Sequence, residues 1–194
     1  MTKKIALFAS GSGSNAENII RYFSKKTDFE FPLIVSNKSD AYVHERAKKL
    51  GIPSFTFSKD EFEKGINILS LLDKYKVDYI VLAGFLLKIS TPFLQAFPDR
   101  IINIHPALLP KFGGKGMYGH HVHQAVVDAK ETVSGITIHY VNQNYDEGNI
   151  IFQATCPVLP DDTPESLAAR IHELEYQHYP KVIEAILLKE EEDE

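Results

Sequence analysis

The chain has 194 residues, 44% of them hydrophobic and 24% charged, which suits one globular domain and excludes a disordered or low-complexity protein. Its 21 basic residues stand against 26 acidic ones, and the net charge of −5 argues against nucleic-acid binding through bulk charge. The single cysteine, Cys156, excludes an intramolecular disulfide and fits a reducing compartment, and no stretch approaches the ~18 apolar residues that would span a membrane. The N-terminal apolar run is too short for a signal peptide, so the expectation is a cytoplasmic protein without membrane partners.

Short runs rich in Ile and Val at Ile5–Ala9, Phe31–Ser36, Asp78–Ala83 and Ile101–Ile104 are apolar on both faces, as parallel strands covered by helices are. Between them the spacing predicts helices over Ser14–Ser24, Ala41–Leu50 and Glu61–Lys76. Ser14 and Glu17 read as a capping box for the first. Gly51 reads as the stop of the second. The third would turn Phe62, Ile66, Leu69 and Leu72–Tyr75 inward. Val133–Val141 alternates and Ile150–Leu159 is strand-like, which predicts an antiparallel pair joined by the Asn- and Gly-rich Asn142–Asn149. A last helix begins at Thr163-Pro164 and carries Leu167, Ile171, Leu174, Val182 and Ile186 inward. The fold class is therefore α/β and Rossmann-like. It has a mostly parallel central sheet flanked by helices and an antiparallel strand pair in the C-terminal half. Residues 1–188 are expected to form one domain, with 189–194 as an acidic frayed tail.

Three segments carry chemistry. Ser10-Gly11-Ser12-Gly13-Ser14-Asn15 follows the first strand and opens a helix, where free N–H groups and the helix dipole favour an anion such as phosphate. It also fits a dinucleotide fingerprint, but the second strand ends in Ser36-Asn37-Lys38 without the acidic residue a ribose would want. A tight turn without a ligand is the plain alternative. In Ile101–Pro110, Asn103 and His105 are two apart on a strand end, so an amide and an imidazole can share a face where an oxyanion could be stabilised. Asp146 lies in the strand-pair connection, where it either makes a turn or tunes His105. His120, His121 and His123 have poor spacing for a metal and read instead as lining of an anion pocket or as the start of a helix, and the glycines of Phe112–Gly119 suggest a mobile flap over the site. Cys156 reads as an inert strand cysteine.

The order and spacing of SGSGSN, VLAGF at 81–85, NIHPALLPKF at 103–112, YDEG at 145–148 and the terminal ARIHELEYQHYP resemble the folate-dependent formyltransferases over residues 3 to about 188. SGSGSN points within them to the branch that formylates glycinamide ribonucleotide in purine synthesis. The resemblance implies the formyltransferase fold, 10-formyltetrahydrofolate as co-substrate and no metal. It implies small-molecule substrates, no nucleic acid, and a monomer or weak homodimer. By the same resemblance Asn103, His105 and Asp146 are catalytic, and Gly13, Ser14, Asn15, His172 and Glu175 bind the ribonucleotide. Lys59, Leu86, Leu87, Lys88, Ile89, Asn103, Asn142, Gln143, Asn144, Tyr145 and Asp146 would line the folate pocket. Lys59 stands in for the family's frequent Arg, and Leu-Leu-Lys-Ile replaces its frequent Met-Arg-Ile-Leu. The alternatives are a sugar-nucleotide N-formyltransferase and a non-catalytic nucleotide- or folate-binding protein.

Overall fold

The structure, a computed structural model, describes residues 2–193, and side chains as far as Lys189. The chain falls into two compact units, residues 1–103 and 104–194.

In the first unit, β1 (Lys3–Phe8), β2 (Phe29–Ser36), β3 (Ser54–Thr56), β4 (Tyr79–Leu82) and the start of β5 (Ile101–His105) form a parallel sheet ordered β3-β2-β1-β4-β5. Consecutive residues Ile5–Ala9 and Leu33–Val35 are all buried, so both faces of the central strands are covered, as the unbroken apolar runs require. The helices are α1 (Ser14–Phe23), α2 (Val43–Leu50), α3 (Lys59–Lys64), α4 (Ile66–Lys74) and α5 (Thr91–Ala96). Phe8, at the end of β1, meets Phe62 and Phe85 edge-on at centroid distances of 5.8 and 5.4 Å. Such pairs add about 0.5–1.5 kcal/mol each beyond area burial, and they fix the strand end from which the glycine loop departs.

Two expectations are corrected here. The predicted Glu61–Lys76 helix is two helices, because Gly65 adopts φ +73° and ends α3 before starting α4. That break resets the helical phase. Ile66 is 72% exposed, and Ile68 takes the inward place with Leu72. The capping box expected of Ser14 and Glu17 is also absent. Gly13 in the left-handed region is the N-cap, Ser14 is already helical, and Glu17 pairs with Arg21 and Arg46. A true capping box forms instead between Ser58 and Glu61. The sequence reading also passed over β3 and α5, which are only three and six residues long.

In the second unit, β6 (Val133–Tyr140) and β7 (Ile150–Pro157) form the predicted antiparallel pair, with α6 (His120–Asp128) and the long α7 (Pro164–Asp193). Gly135 permits that pairing, since a Cβ there would stand 1.9 Å from the Ala154 carbonyl oxygen. Asp162 anchors the start of α7. Its carboxylate takes hydrogen bonds from Leu159 N–H, Ser166 Oγ and the Arg170 guanidinium, which also donates to Pro157 O. The inward face of α7 carries Leu167, Ile171, Tyr179 and Ile183, and Glu175 is buried among them in sequence, whereas Leu174 and Val182 are only half-buried. The backbone of the acidic run expected as a frayed tail is helical as far as Asp193; its side chains beyond Lys189 lie outside the described residues. No helix among the described residues is long and apolar enough to cross a membrane.

Candidate active site

The second unit assembles its site on a short polar scaffold. Thr137, buried on β6, donates to Ala107 O at 2.7 Å and accepts from Leu109 N–H at 3.0 Å. Gln153 on β7 donates to Leu109 O and to Thr137 Oγ1. These bonds hold the segment after β5 against the hairpin. Phe112 follows at φ +56°, and its carbonyl oxygen lies 2.8 Å from His105 Nε2. A carbonyl only accepts, so Nε2 carries a proton and donates. In the neutral imidazole, Nδ1 is then bare.

That bare nitrogen faces Asp146, whose Oδ2 lies 3.5 Å away. Asp146 has φ +56°, a left-handed conformation that Asp tolerates better than most residues. Gly148 lets its loop lie close on β6, since a Cβ there would stand 1.6 Å from Tyr140 O, and Tyr140 N–H donates to Asn149 O at 3.0 Å. The Asp146 carboxylate also accepts from Gly114 N–H at 2.9 Å and lies 3.7 Å from His139 Nε2. His139 is buried, and its Nδ1 donates to Tyr140 O at 2.8 Å. Asp146 is thus set between two histidines, each fixed by a main-chain carbonyl.

Burial lowers the His105 pKa, against the opposing pull of the Asp146 charge and the Phe112 carbonyl, so the imidazole is neutral near pH 7. Burial works to raise Asp146, but His139, His105 and Gly114 N–H outweigh it and hold the carboxyl below its ordinary range. A carboxylate beside a neutral imidazole with an empty nitrogen is a proton-accepting arrangement, and any imidazolium formed there is stabilised at once.

On α7, His172 Nδ1 lies 2.9 Å from the buried Glu175 carboxylate, which raises the His172 pKa against the effect of burial. Glu175 also acts electrostatically on His105, and on His123, which is buried on α6. Glu175 thus links the α7 pair to His105 electrostatically. The glycine-rich Phe112–Gly119 loop begins beside His105 and Asp146, through Phe112 O and Gly114 N–H, and its Lys115 is exposed. His120 lies 3.5 Å from Glu165, and His121 packs edge-on against Tyr118. Among the described residues, no group of three or more His, Cys, Asp or Glu side chains could hold a metal ion. Cys156 is buried and its thiol pKa is pushed up by that burial, as expected of an inert cysteine.

The other expected residues lie in the first unit or in the β6–β7 connection. Asn103 is half-buried on β5, in register with Leu82. Gly13, Ser14 and Asn15 form the turn into α1. Leu86 is 41% exposed, and its N–H donates to Ser10 Oγ at 2.9 Å, while Ser10 Oγ donates to Asn37 Oδ1. Leu87 is half-buried, Lys88 exposed and Ile89 buried. Lys59 is exposed, 3.8 Å from Glu63. Asn142, Gln143, Asn144 and Tyr145 are exposed; Asn142 Oδ1 accepts from Asn144 N–H, and the Asn144 side chain donates to Glu147. Sequence reasoning missed Thr137, His139 and Gln153. The signal for the first two was present, since Thr137 and His139 are polar residues two apart that alternate with the apolar Ile136 and Ile138.

Comparison with known proteins shows the family of the chain. The formyl transferase family model matches residues 3–183. A chloroplastic phosphoribosylglycinamide formyltransferase of Arabidopsis thaliana is 45% identical over 190 residues, covering 95% of this chain; the chain spans 65% of that relative, just under two thirds. The phosphoribosylglycinamide formyltransferase of Haemophilus influenzae is 41% identical, covering 93% of this chain and 85% of the relative. The crystal structure of the phosphoribosylglycinamide formyltransferase of Streptococcus pneumoniae superposes with a TM-score of 0.84 at 40% identity, covering 96% of this chain and 99% of the other.

Proposed function

The chain belongs to the formyl transferase family, and we propose that it transfers the formyl group of 10-formyltetrahydrofolate to the amine of 5′-phosphoribosylglycinamide. The products are phosphoribosyl-N-formylglycinamide and tetrahydrofolate, a step of purine synthesis. The observation that carries this reading is the His105–Asp146 pair, with its bare Nδ1 facing a carboxylate at 3.5 Å. Amine attack on a formyl carbon makes an oxyanion and leaves a surplus proton on nitrogen, and this pair accepts a proton at neutral pH.

In this reading the amine adds to the formyl carbon, and the C–N bond to the amine forms. His105 Nδ1 takes the amine's proton and Asp146 stabilises the imidazolium. The Asn103 amide then donates to the oxyanion, and the imidazolium, whose N–H groups are committed to Phe112 O and Asp146, stabilises it through its charge. The tetrahedral adduct collapses, the bond to the folate nitrogen breaks, and that nitrogen receives the proton. Gly13, Ser14 and Asn15 seat the substrate phosphate at the start of α1, with His172 and Glu175 on the ribonucleotide. Leu86, Leu87, Lys88, Ile89, Lys59 and the 142–146 loop receive the folate. Leu86 and Tyr145 are each exposed and each offers apolar surface of the kind a flat heterocycle covers. The enzyme acts on two small molecules in the cytoplasm, as a monomer or weak homodimer.

The test is an absorbance assay with purified protein, 10-formyltetrahydrofolate and glycinamide ribonucleotide. Turnover that requires both substrates is expected. Turnover without the ribonucleotide would make the chain a deformylase, and binding without turnover would remove the transferase reading.

A further inference from the structure

The glycine loop is held from behind by α2. Val43 N–H donates to Gly11 O at 3.1 Å, and Arg46 Nε donates to Ser12 O at 2.8 Å. Two consecutive carbonyls of the loop are therefore turned toward α2. Gly13, at φ +72°, presses so closely on Val43 that a Cβ would stand 2.4 Å from Val43 Cγ2. In a planar trans peptide the carbonyl and the following N–H point in opposite directions. With Ser12 O committed to Arg46, the Gly13 N–H points away from α2. Rotation of this one peptide would bring a carbonyl oxygen round in its place, and a carbonyl repels an anion.

A second contact joins the same guanidinium to α1. Arg46 Nη1 pairs with Glu17 Oε2, and Arg21 Nη2 pairs with Glu17 Oε1 at 2.6 Å. Glu17 is the acidic residue in the first turn of α1, where its charge would oppose a phosphate. Arg21 and Arg46 hold that carboxyl below its ordinary pKa range, so it is ionised but offset.

We infer that Arg46 is a positioning residue for the phosphate end of the acceptor substrate: it holds the Ser12 carbonyl out of the anion cradle and ties the glycine loop to α1 through Glu17. The inference rests on the glycine loop being the seat of the ribonucleotide phosphate. Arg46 acts through the loop, since two of its nitrogens are already committed to Ser12 and Glu17.

The experiment compares the wild-type chain with Arg46→Ala, Arg46→Lys and the double variant Glu17→Gln/Arg46→Ala. It reads ribose 5-phosphate affinity by calorimetry, KM for each substrate, kcat and the thermal midpoint. Arg46→Ala is expected to weaken ribose 5-phosphate binding and raise the ribonucleotide KM about tenfold, the equivalent of ~1.4 kcal/mol. The folate KM and kcat should stay within about twofold, because uniform binding of one substrate is what is lost. Arg46→Lys keeps the charge but not the guanidinium fork that spans both acceptors. It should recover only part of the affinity, and it serves as the folded comparison if the alanine variant fails to fold. The double variant removes the carboxylate that needs offsetting yet leaves Ser12 O unheld, so it should remain weak. Recovery to wild-type affinity in that variant would reduce Arg46 to charge neutralisation and overturn the positioning role. A lower thermal midpoint with unchanged constants would overturn it as well. A wild-type chain that binds no ribose 5-phosphate removes the phosphate reading and this inference together, whereas equal binding by wild type and Arg46→Ala removes the inference alone.

Discussion

His105 presents Nδ1 to Asp146 Oδ2 across 3.5 Å while its Nε2–H is committed to Phe112 O at 2.8 Å. The imidazole is therefore held in one tautomer, with its basic nitrogen toward the carboxylate. Asp146→Asn removes the charge that would stabilise an imidazolium, and kcat should fall ~10²–10⁴-fold, the range of general acid–base catalysis. The pH profile gives a sharper check. Burial sets the His105 pKa below its ordinary value, so wild-type kcat/KM should rise with pH through a value below ~6.5 and be flat near neutrality. Because the Asp146 charge raises the His105 pKa, its loss should move that acid limb to still lower pH. A limb that stays in place or moves upward would contradict the pairing.

Gly113 lies between the two main-chain groups that fix the pair, Phe112 O on His105 and Gly114 N–H on Asp146. A Cβ there would stand 2.6 Å from Leu109 Cδ2 and 3.3 Å from Asp146 Cβ. The leucine end can give way, but the aspartate cannot move without losing its alignment. Gly113→Ala should cost about 1–3 kcal/mol of stability, as overpacking does. It should also lower kcat about tenfold or more, since small misplacements of catalytic groups are costly. Denaturant unfolding and steady-state rates together decide the matter, and an unchanged kcat in a destabilised variant would count against the role given to this loop.

The strands buried on both faces were legible because short apolar runs such as Ile5–Ala9, separated by segments of helical spacing, are what a parallel sheet covered on both sides requires. Gly51 was legible as a helix stop, and Gly65 was not. The left-handed turn at Gly65 interrupts an apolar pattern that continues across it, so periodicity alone reads one helix. Ser14 and Glu17 matched a capping box, but Arg46, 29 residues further along, takes the glutamate, and that pairing depends on tertiary structure. The Asp146–His105 contact was of the same kind, suggested by residue type and established only by the loop that carries Asp146 back. His139 could have been suspected from its place in β6, whereas its pairing with Asp146 depends on how closely Gly148 lets the connection lie on β6.

Asp162 should make the start of α7 acid-sensitive. The Arg170 guanidinium, helped by Leu159 N–H and Ser166 and opposed by burial, holds this carboxyl well below the usual carboxylate range. Its contribution to stability is complete above ~pH 4, where the unfolded-state carboxyl is also ionised. It is lost as pH falls through the depressed folded value. Asp162→Ala should therefore destabilise the protein by about 1–3 kcal/mol at pH 7, the worth of hydrogen bonds to a charged group. Chemical unfolding of both proteins at several pH values should show the difference shrinking as pH falls below ~4. A difference that grows toward acid would contradict the assignment.

The His172–Glu175 pair should behave with the opposite sign. Its hydrogen bond to Glu175 raises the His172 pKa above the ordinary value, against burial. The pair's stability is then fully present below ~pH 6.5 and lost as pH rises through the elevated folded value. His172 is half-exposed, so solvent screens the pair and His172→Gln should cost under about 1 kcal/mol at pH 6. By pH 9 that cost should be close to nil. The substrate readout is separate. Glu175 is buried and should keep its place when His172 is replaced, so the ribonucleotide KM should rise only a few-fold in His172→Gln, while Glu175→Gln should raise it more. Measuring both KM values at pH 6 and pH 8.5 separates the roles. Equal effects of the two substitutions at both pH values would mean that the imidazole and the carboxylate act as one binding unit rather than as a contact and its support.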